Sequence, residues 1–303
     1  MPERSGMSPD HESTLPIRLG SVTVAVPDPA ATAAFLRDGL GFHVTPRGDG
    51  GMNATTSGEY AQPAPGRYLT LLPGDATELR EITFDVTDDY PFEELERRAA
   101  SYGLAADRLR PDADGGAGVA VVDTSGLRLV CRPAGPPIAT PLPAAPLRPR
   151  RLGHINVKVP DAPTTAALIS GMLDLKLSEQ IGTGLFFFRV GTEHHNFGVR
   201  GGSARPDAHH LAFEVAGWDS YRVLCDHLAE LGHKVEYGPG RHGPGHNLFV
   251  YLRDPSSGLR LELYSDMAHI HDEASYTPPR WEMSDRGNTV NRWGPAPPES
   301  FLE

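Results

Sequence analysis

The chain is written twice, and that repeat constrains its fold more than any other feature. Gly20-Ser21-Val22-Thr23-Val24-Ala25-Val26-Pro27-Asp28 recurs as Gly153-His154-Ile155-Asn156-Val157-Lys158-Val159-Pro160-Asp161. Glu81-Ile82-Thr83-Phe84-Asp85-Val86 recurs as His210-Leu211-Ala212-Phe213-Glu214-Val215, and Ser125-Gly126-Leu127-Arg128-Leu129-Val130 as Ser257-Gly258-Leu259-Arg260-Leu261-Glu262. The offsets are 133, 129 and 132 residues, so the repeating unit is a module of domain size rather than a short solenoid repeat. At three aligned positions Ser21, Glu81 and Val130 become His154, His210 and Glu262. Two histidines and one carboxylate form the ligand set of a non-haem Fe(II) facial triad.

A chain of 303 residues has room for two domains of ordinary size. Seven prolines fall among the seventeen residues 133–149, a stretch unable to form helix or central strand, which reads as a linker. The expected organisation is a disordered tail at 1–14, a module without metal at 15–132, the linker at 133–149, a catalytic module at 150–267 and an extension at 268–303. A net charge of −11 argues against a nucleic-acid partner. No apolar run approaches the roughly 20 residues needed to span a bilayer, and Met1 to Pro16 lacks the apolar core of a secretory signal. The expectation is a cytoplasmic protein with no membrane partner. Cys131 and Cys225 make neither a disulfide framework nor a zinc pattern, and Cys225, at an apolar helical position, reads as buried and inert.

Each module reads as a βαβββ unit, an α+β arrangement on antiparallel and mixed sheet. In the second module Ile155, Val157 and Val159 alternate with polar neighbours, as do Leu211, Phe213 and Val215, then Leu259, Leu261 and Leu263. On all three strands the ligand candidate points away from the apolar stripe. Sheets packed by those stripes would bring His154, His210 and Glu262 out on one shared opposite face. Any one of them alone reads equally well as a solvated strand residue. Together, and each replaced by a non-ligand in the first copy, they read as a metal site with positions open to substrate and O2.

A second cluster follows. His242 and Tyr251 flank a segment rich in glycine and proline (Gly238, Pro239, Gly240, Gly243, Pro244, Gly245), which reads as a turn-rich loop able to approach a ligand closely. His195 follows Phe186-Phe187-Phe188 and reads as a strand residue. A histidine and a tyrosine beside an open metal site suit proton transfer near neutral pH. On residue type alone, His194 and His195 read equally as surface histidines and Tyr251 as a core aromatic.

Gly153-His154-Ile155-Asn156, His209-His210-Leu211-Ala212-Phe213, Gly238-Pro239-Gly240-Arg241-His242-Gly243, and Val250-Tyr251 through Asp254-Pro255 to Glu262 resemble the type I extradiol catechol dioxygenases of the vicinal oxygen chelate superfamily. Trp281 and Trp293-Gly294-Pro295 in the extension are similar too. The resemblance implies two tandem modules of paired βαβββ units. It implies Fe(II), less often Mn(II), held by His154, His210 and Glu262, with His195 as acid/base partner and His242 and Tyr251 hydrogen-bonding substrate or oxygen. It also implies a catechol and O2 as substrates, a ring-opened semialdehyde as product, and a homo-oligomer, tetramer or dimer. Two departures stand out. Asp254-Pro255-Ser256-Ser257-Gly258 is one residue longer than the usual turn, and the register into Glu262 depends on it. Where homoprotocatechuate enzymes carry arginines for a substrate carboxylate, this chain reads Tyr237 and Thr289-Val290, with Arg292 nearby. The rival readings are a glyoxalase-like isomerase and a non-catalytic small-molecule-binding protein of the same superfamily.

Overall fold

The computed structural model describes residues 17–56, 68–112, 115–133, 149–285 and 289–302. The expected tail at 1–14 lies outside these residues, as does all of the expected linker except its ends. The first module holds β1 (Ile17–Val26), α1 (Pro29–Leu40), β2 (His43–Pro46), β3 (Met52–Thr55), β4 (Leu69–Pro73), β5 (Glu78–Val86), α2 (Phe92–Ser101), β6 (Ala106–Leu109), β7 (Gly118–Val122) and β8 (Arg128–Pro133). The second holds β9 (Leu152–Val159), α3 (Ala162–Leu173), β10 (Lys176–Ile181), β11 (Leu185–Arg189), β12 (Phe197–Gly201), β13 (Asp207–Glu214), α4 (Trp218–Glu230), β14 (Val235–Arg241), β15 (Leu248–Arg253) and β16 (Arg260–Ser265). The extension adds β17 (Arg280–Trp281) and a short helix, α5 (Glu299–Leu302).

The repeat in sequence is a repeat in topology. One sheet runs β2-β3-β4-β1-β5-β8-β7-β6, and the other, read in the matching direction, runs β10-β11-β12-β9-β13-β16-β15-β14, with β17 added beyond β10. In both, the first strand and the one after the long connection pair antiparallel at the centre. The local signals are also doubled. Asp28 accepts a hydrogen bond from the Ala31 amide (2.9 Å) to open α1, and Asp161 from the Thr164 amide (3.2 Å) to open α3. A proline in the first turn of each suits that position, whose amide has no partner in the helix.

The apolar stripes do not pack each module on its own helices alone. Val22, Val24 and Val26 share one continuous core with Ile155, Val157 and Val159, joined by Leu36 and Leu40 of α1 and Ile169 and Leu173 of α3. Phe42 meets Phe213 edge-on at 4.9 Å across the two modules. Burying both stripes together leaves the opposite face of the second sheet free for polar groups, and the extension covers part of that face.

Three local readings change. His195 lies in the connection between β11 and β12, not on a strand. The glycine-rich segment is partly strand: β14 runs to Arg241 with a cis Gly238–Pro239 bond and two register shifts. β14 sits at the edge of its sheet, where a proline interrupts no ladder. Cys225 is half-buried rather than buried, while Cys131 is fully enclosed; burial raises both thiols, Cys131 to about 12.

Candidate metal centre

Three adjacent central strands supply the ligand candidates. β9 carries His154, β13 carries His210 and β16 carries Glu262. The register sets their spacing: Ala212 of β13 stands beside His154 on one side and Glu262 on the other, and His210 stands beside Asn156. The longer turn at 254–258 leaves this intact, because Arg253 still pairs with Arg260 and Tyr251 with Glu262. Asp254 absorbs the extra residue by accepting from the Ser256 and Ser257 amides, and Gly258 takes the left-handed conformation (φ 71°) that closes the turn.

One oxygen of Glu262 faces both imidazoles. Oε2 lies 3.0 Å from Nε2 of His154 and 3.2 Å from Nε2 of His210. One ligand atom from each residue fits within 4.8 Å of the others, and all three residues are buried. The second oxygen, Oε1, accepts from Nδ2 of Asn247 at 2.9 Å and has Nε2 of His242 at 3.7 Å. Burial works to raise the Glu262 carboxyl, but the facing His154 and its hydrogen bond outweigh it and hold the group well below the usual carboxylate range. Burial pushes His210 down to about 4. Near neutral pH these are a carboxylate and a neutral His210 ring, and a neutral imidazole with a carboxylate is the form that binds a divalent cation. The donor set, two nitrogens and a carboxylate oxygen on buried side chains, fits Fe(II) or Mn(II).

The structure brings the other three predicted residues to the same place. The His195 ring lies 4.4 Å from that of His154, centroid to centroid, and 4.9 Å from Phe187. Burial, then the neighbouring His154 and His194, press its pKa well down. The Tyr251 hydroxyl and Nε2 of His242 are 2.9 Å apart, and Nδ1 of His242 donates to the Val290 carbonyl at 2.6 Å. Burial and the Glu262 charge keep the Tyr251 phenol protonated far above its ordinary range. The His242 ring is stacked 4.0 Å from Phe249, so its orientation is fixed by packing as well as by hydrogen bonds.

Several participants were not legible in the sequence. Asn247, fully buried against Glu262, lies just before β15 and carries no local signal. Behind His195, Nδ1 of His194 lies 2.9 Å from Nδ1 of His195, and Nε2 of His194 has the Glu179 carboxylate at 3.2 Å, off the hydrogen-bond line. His209, beside His210, reaches the carbonyl of Phe301. The doubled His-His pairs were the visible hint; their partners come from distant segments. Arg292 is exposed, with one guanidinium nitrogen 3.3 Å from His246, and Tyr237 is buried among Phe249, Tyr251 and Phe301.

At the aligned places of the first module Val130 is buried, Glu81 pairs with Arg128 at 2.9 Å, and Ser21 stands opposite Thr83. That set offers one carboxylate, already neutralised by a guanidinium. Among the described residues no helix is long and apolar enough to cross a membrane.

Residues 151–263 match the model of the Glyoxalase/Bleomycin resistance protein/Dioxygenase superfamily. The chain is 29% identical over 156 residues to metapyrocatechase 2 of Cupriavidus necator, covering 51% of this chain and 47% of that protein. It is 29% identical over 161 residues to a manganese-dependent 2,3-dihydroxybiphenyl 1,2-dioxygenase of Geobacillus genomosp. 3, covering 50% and 51%. The chain thus spans about half the length of the curated relatives it matches. In fold it is similar to homoprotocatechuate 2,3-dioxygenase of Brevibacterium fuscum in complex with 3,4-dihydroxyphenylacetate (TM-score 0.83, 22% identity, 95% of this chain and 92% of that one). The enzyme of that name from Arthrobacter globiformis gives 0.83 and 22% over 99% and 95%.

Proposed function

We propose that this two-module chain of the glyoxalase/bleomycin resistance protein/dioxygenase superfamily is an extradiol ring-cleaving dioxygenase. It opens a catechol beside its diol with O2 to give a semialdehyde-type product. The observation that carries the reading is the buried His154–His210–Glu262 set within 4.8 Å, with Tyr251 and His242 next to Glu262. His154, His210 and Glu262 would hold Fe(II) or Mn(II). When bound, the cation supplies a template for catechol and O2 and a path for electrons between them.

The remaining work falls to the protein. His195, kept neutral by burial, takes the proton of a catechol hydroxyl and returns one to the product. Its exchange with bulk water is limited by Phe187 and His194, which pack against it. Tyr251 stays a phenol and so acts as a hydrogen-bond donor to a developing negative oxygen. His242 is oriented by the Val290 carbonyl and trades a hydrogen bond with Tyr251. With Tyr237 among aromatic rings and Arg292 exposed, we expect catechols with an uncharged ring substituent to be preferred over carboxylates such as 3,4-dihydroxyphenylacetate. We further propose a cytoplasmic homo-oligomer, dimer or tetramer, for which the exposed, edge-to-face Trp218 and Trp293 pair (5.9 Å) supplies apolar surface.

The test is anaerobic loading with Fe(II) or Mn(II), then a panel of catechols with O2 and detection of the yellow ring-cleaved product. Absence of turnover across the panel with metal shown to be bound overturns the reading. His210→Ala is expected to lose metal binding, and His195→Asn to keep the metal while turnover falls by about 10²–10⁴-fold, the range for an acid/base group.

A further inference from the structure

Two imidazoles that face each other through Nδ1 share at most one hydrogen. His209 and His210 do so at 2.7 Å, both buried. Which ring owns that hydrogen is decided on the far side of His209. There Nε2 lies 3.0 Å from the main-chain carbonyl oxygen of Phe301 in α5. A carbonyl only accepts, so this Nε2 carries a hydrogen. A second hydrogen would make His209 a buried cation, and the side chain that donates to its main-chain carbonyl at 3.2 Å, Arg260, is itself a cation. Nδ1 of His209 is therefore bare and accepts from Nδ1–H of His210. That leaves Nε2, the atom 3.2 Å from Glu262, as the lone-pair nitrogen of the His210 ring.

We propose that the C-terminal helix α5, acting through the Phe301 carbonyl and the His209 ring, fixes the tautomer in which His210 offers Nε2 to a divalent cation. The proposal rests on the reading of His154, His210 and Glu262 as the metal site. It makes His209 a positioning residue and gives the extension a part in the metal centre. The carbonyl is rigidly placed. The Ser300 carbonyl accepts from Arg260 at 2.6 Å and from Arg253 at 2.8 Å, and the Phe301 ring sits edge-on to His209 at 5.0 Å and to Tyr251 at 4.6 Å. Arg260 and Arg253 belong to β16 and β15, so the helix is tied to the strand that bears Glu262 and to its neighbour. Partners one step removed from a ligand commonly set ring orientation and tautomer in metal sites.

The experiment uses the full ¹⁵N-labelled chain with zinc(II) as a diamagnetic probe and long-range ¹H–¹⁵N correlation of the imidazoles. The expected result is His209 as the Nε2–H tautomer and His210 with a hydrogen on Nδ1 and zinc on Nε2. His209 found as the Nδ1–H tautomer, or doubly protonated, overturns the relay while leaving the metal site standing. Failure of the unmutated chain to bind zinc sinks the metal reading itself. A second measurement is zinc affinity by chelator competition. His209→Gln can accept from His210 and donate to the carbonyl, so it is expected to stay within a few-fold of the unmutated chain. His209→Leu is expected to lose about 10–100-fold, the usual cost of removing such a partner. Equal affinity for the Leu variant and the unmutated chain also overturns the relay.

Discussion

A carboxylate with no exposed surface survives as an anion only if its surroundings replace water. Glu262 has the His154 imidazole on one oxygen and the Asn247 amide on the other, and these hold it ionised against the cost of burial. Asn247→Leu leaves Oε1 without its amide donor and is expected to weaken metal binding about tenfold; an unchanged affinity in chelator competition would contradict that role. Asp85 shows the opposite balance. It is buried, its ionic partner among the described residues, Arg18, is half-exposed, and burial raises its carboxyl to about 6. The folded value lies above the unfolded value of about 3.9. Between those two pH values the folded chain binds the extra proton, so stability falls as pH rises through the window. Asp85→Asn is expected to stabilise the chain at pH 8 by at most about 3 kcal/mol, with the gain vanishing near pH 4. Denaturant unfolding at both pH values checks the sign. A variant less stable than the parent at pH 8 would mean that the Arg18 pair outweighs desolvation.

At the scale of strands and turns, the ligand geometry depends on register and on close approach. Gly153 precedes His154 on β9, and a Cβ there would lie 1.8 Å from the Tyr264 hydroxyl. That hydroxyl donates to Glu193 at 2.9 Å, Glu193 pairs with Arg151 at 2.8 Å, and the Tyr264 ring packs 5.0 Å from His154. Gly153→Ala is expected to cost about 1–3 kcal/mol, as overpacked sites do, and to weaken zinc binding by tilting His154. Adding Tyr264→Phe removes the clashing oxygen and should recover part of both losses; no recovery in thermal melts would point to backbone strain instead. Much of this level was legible. Alternation placed the three ligand strands, because one face of each is apolar and a slip by one residue would reverse every side chain. The stretch Gly238 to Arg241 reads as loop in sequence but is an edge strand with bulges, and edge position is not a local property. His195 reads as a strand residue because its aromatic neighbours are strand-like, whereas the ring is presented from the connection between β11 and β12.

For the molecule as a whole, the duplicated topology also ties its halves together twice. Thr32 of α1 donates to Asp254 at 2.7 Å across the modules, and Thr165 of α3 stands 3.5 Å from Asp123 in the reciprocal place. The two contacts are related by the repeat but differ in strength, since a hydroxyl bond at 3.5 Å is at the limit of the interaction. Thr32→Val is expected to destabilise by about 1.5–3 kcal/mol, the range for a hydrogen bond to a buried charge, and Thr165→Val by clearly less. Urea unfolding of the two variants distinguishes them; equal losses would show that the repeat preserves energetics as well as geometry.

The sequence by itself determined the two-module plan, the α+β class and the three ligand candidates, because an internal repeat and strand alternation are local patterns that survive without coordinates. It also showed which copy could bind a cation, since substitution at aligned positions compares one chain with itself. Only the tertiary structure decided that both apolar stripes share one core, that Asn247 and the Phe301 carbonyl reach the metal centre, and that Arg292 stays outside it. The Asn247 and Phe301 contacts join segments 15 and 92 residues apart. A hydrogen bond between such segments leaves no periodicity in the chain, because the position of its partner is fixed by packing and not by spacing.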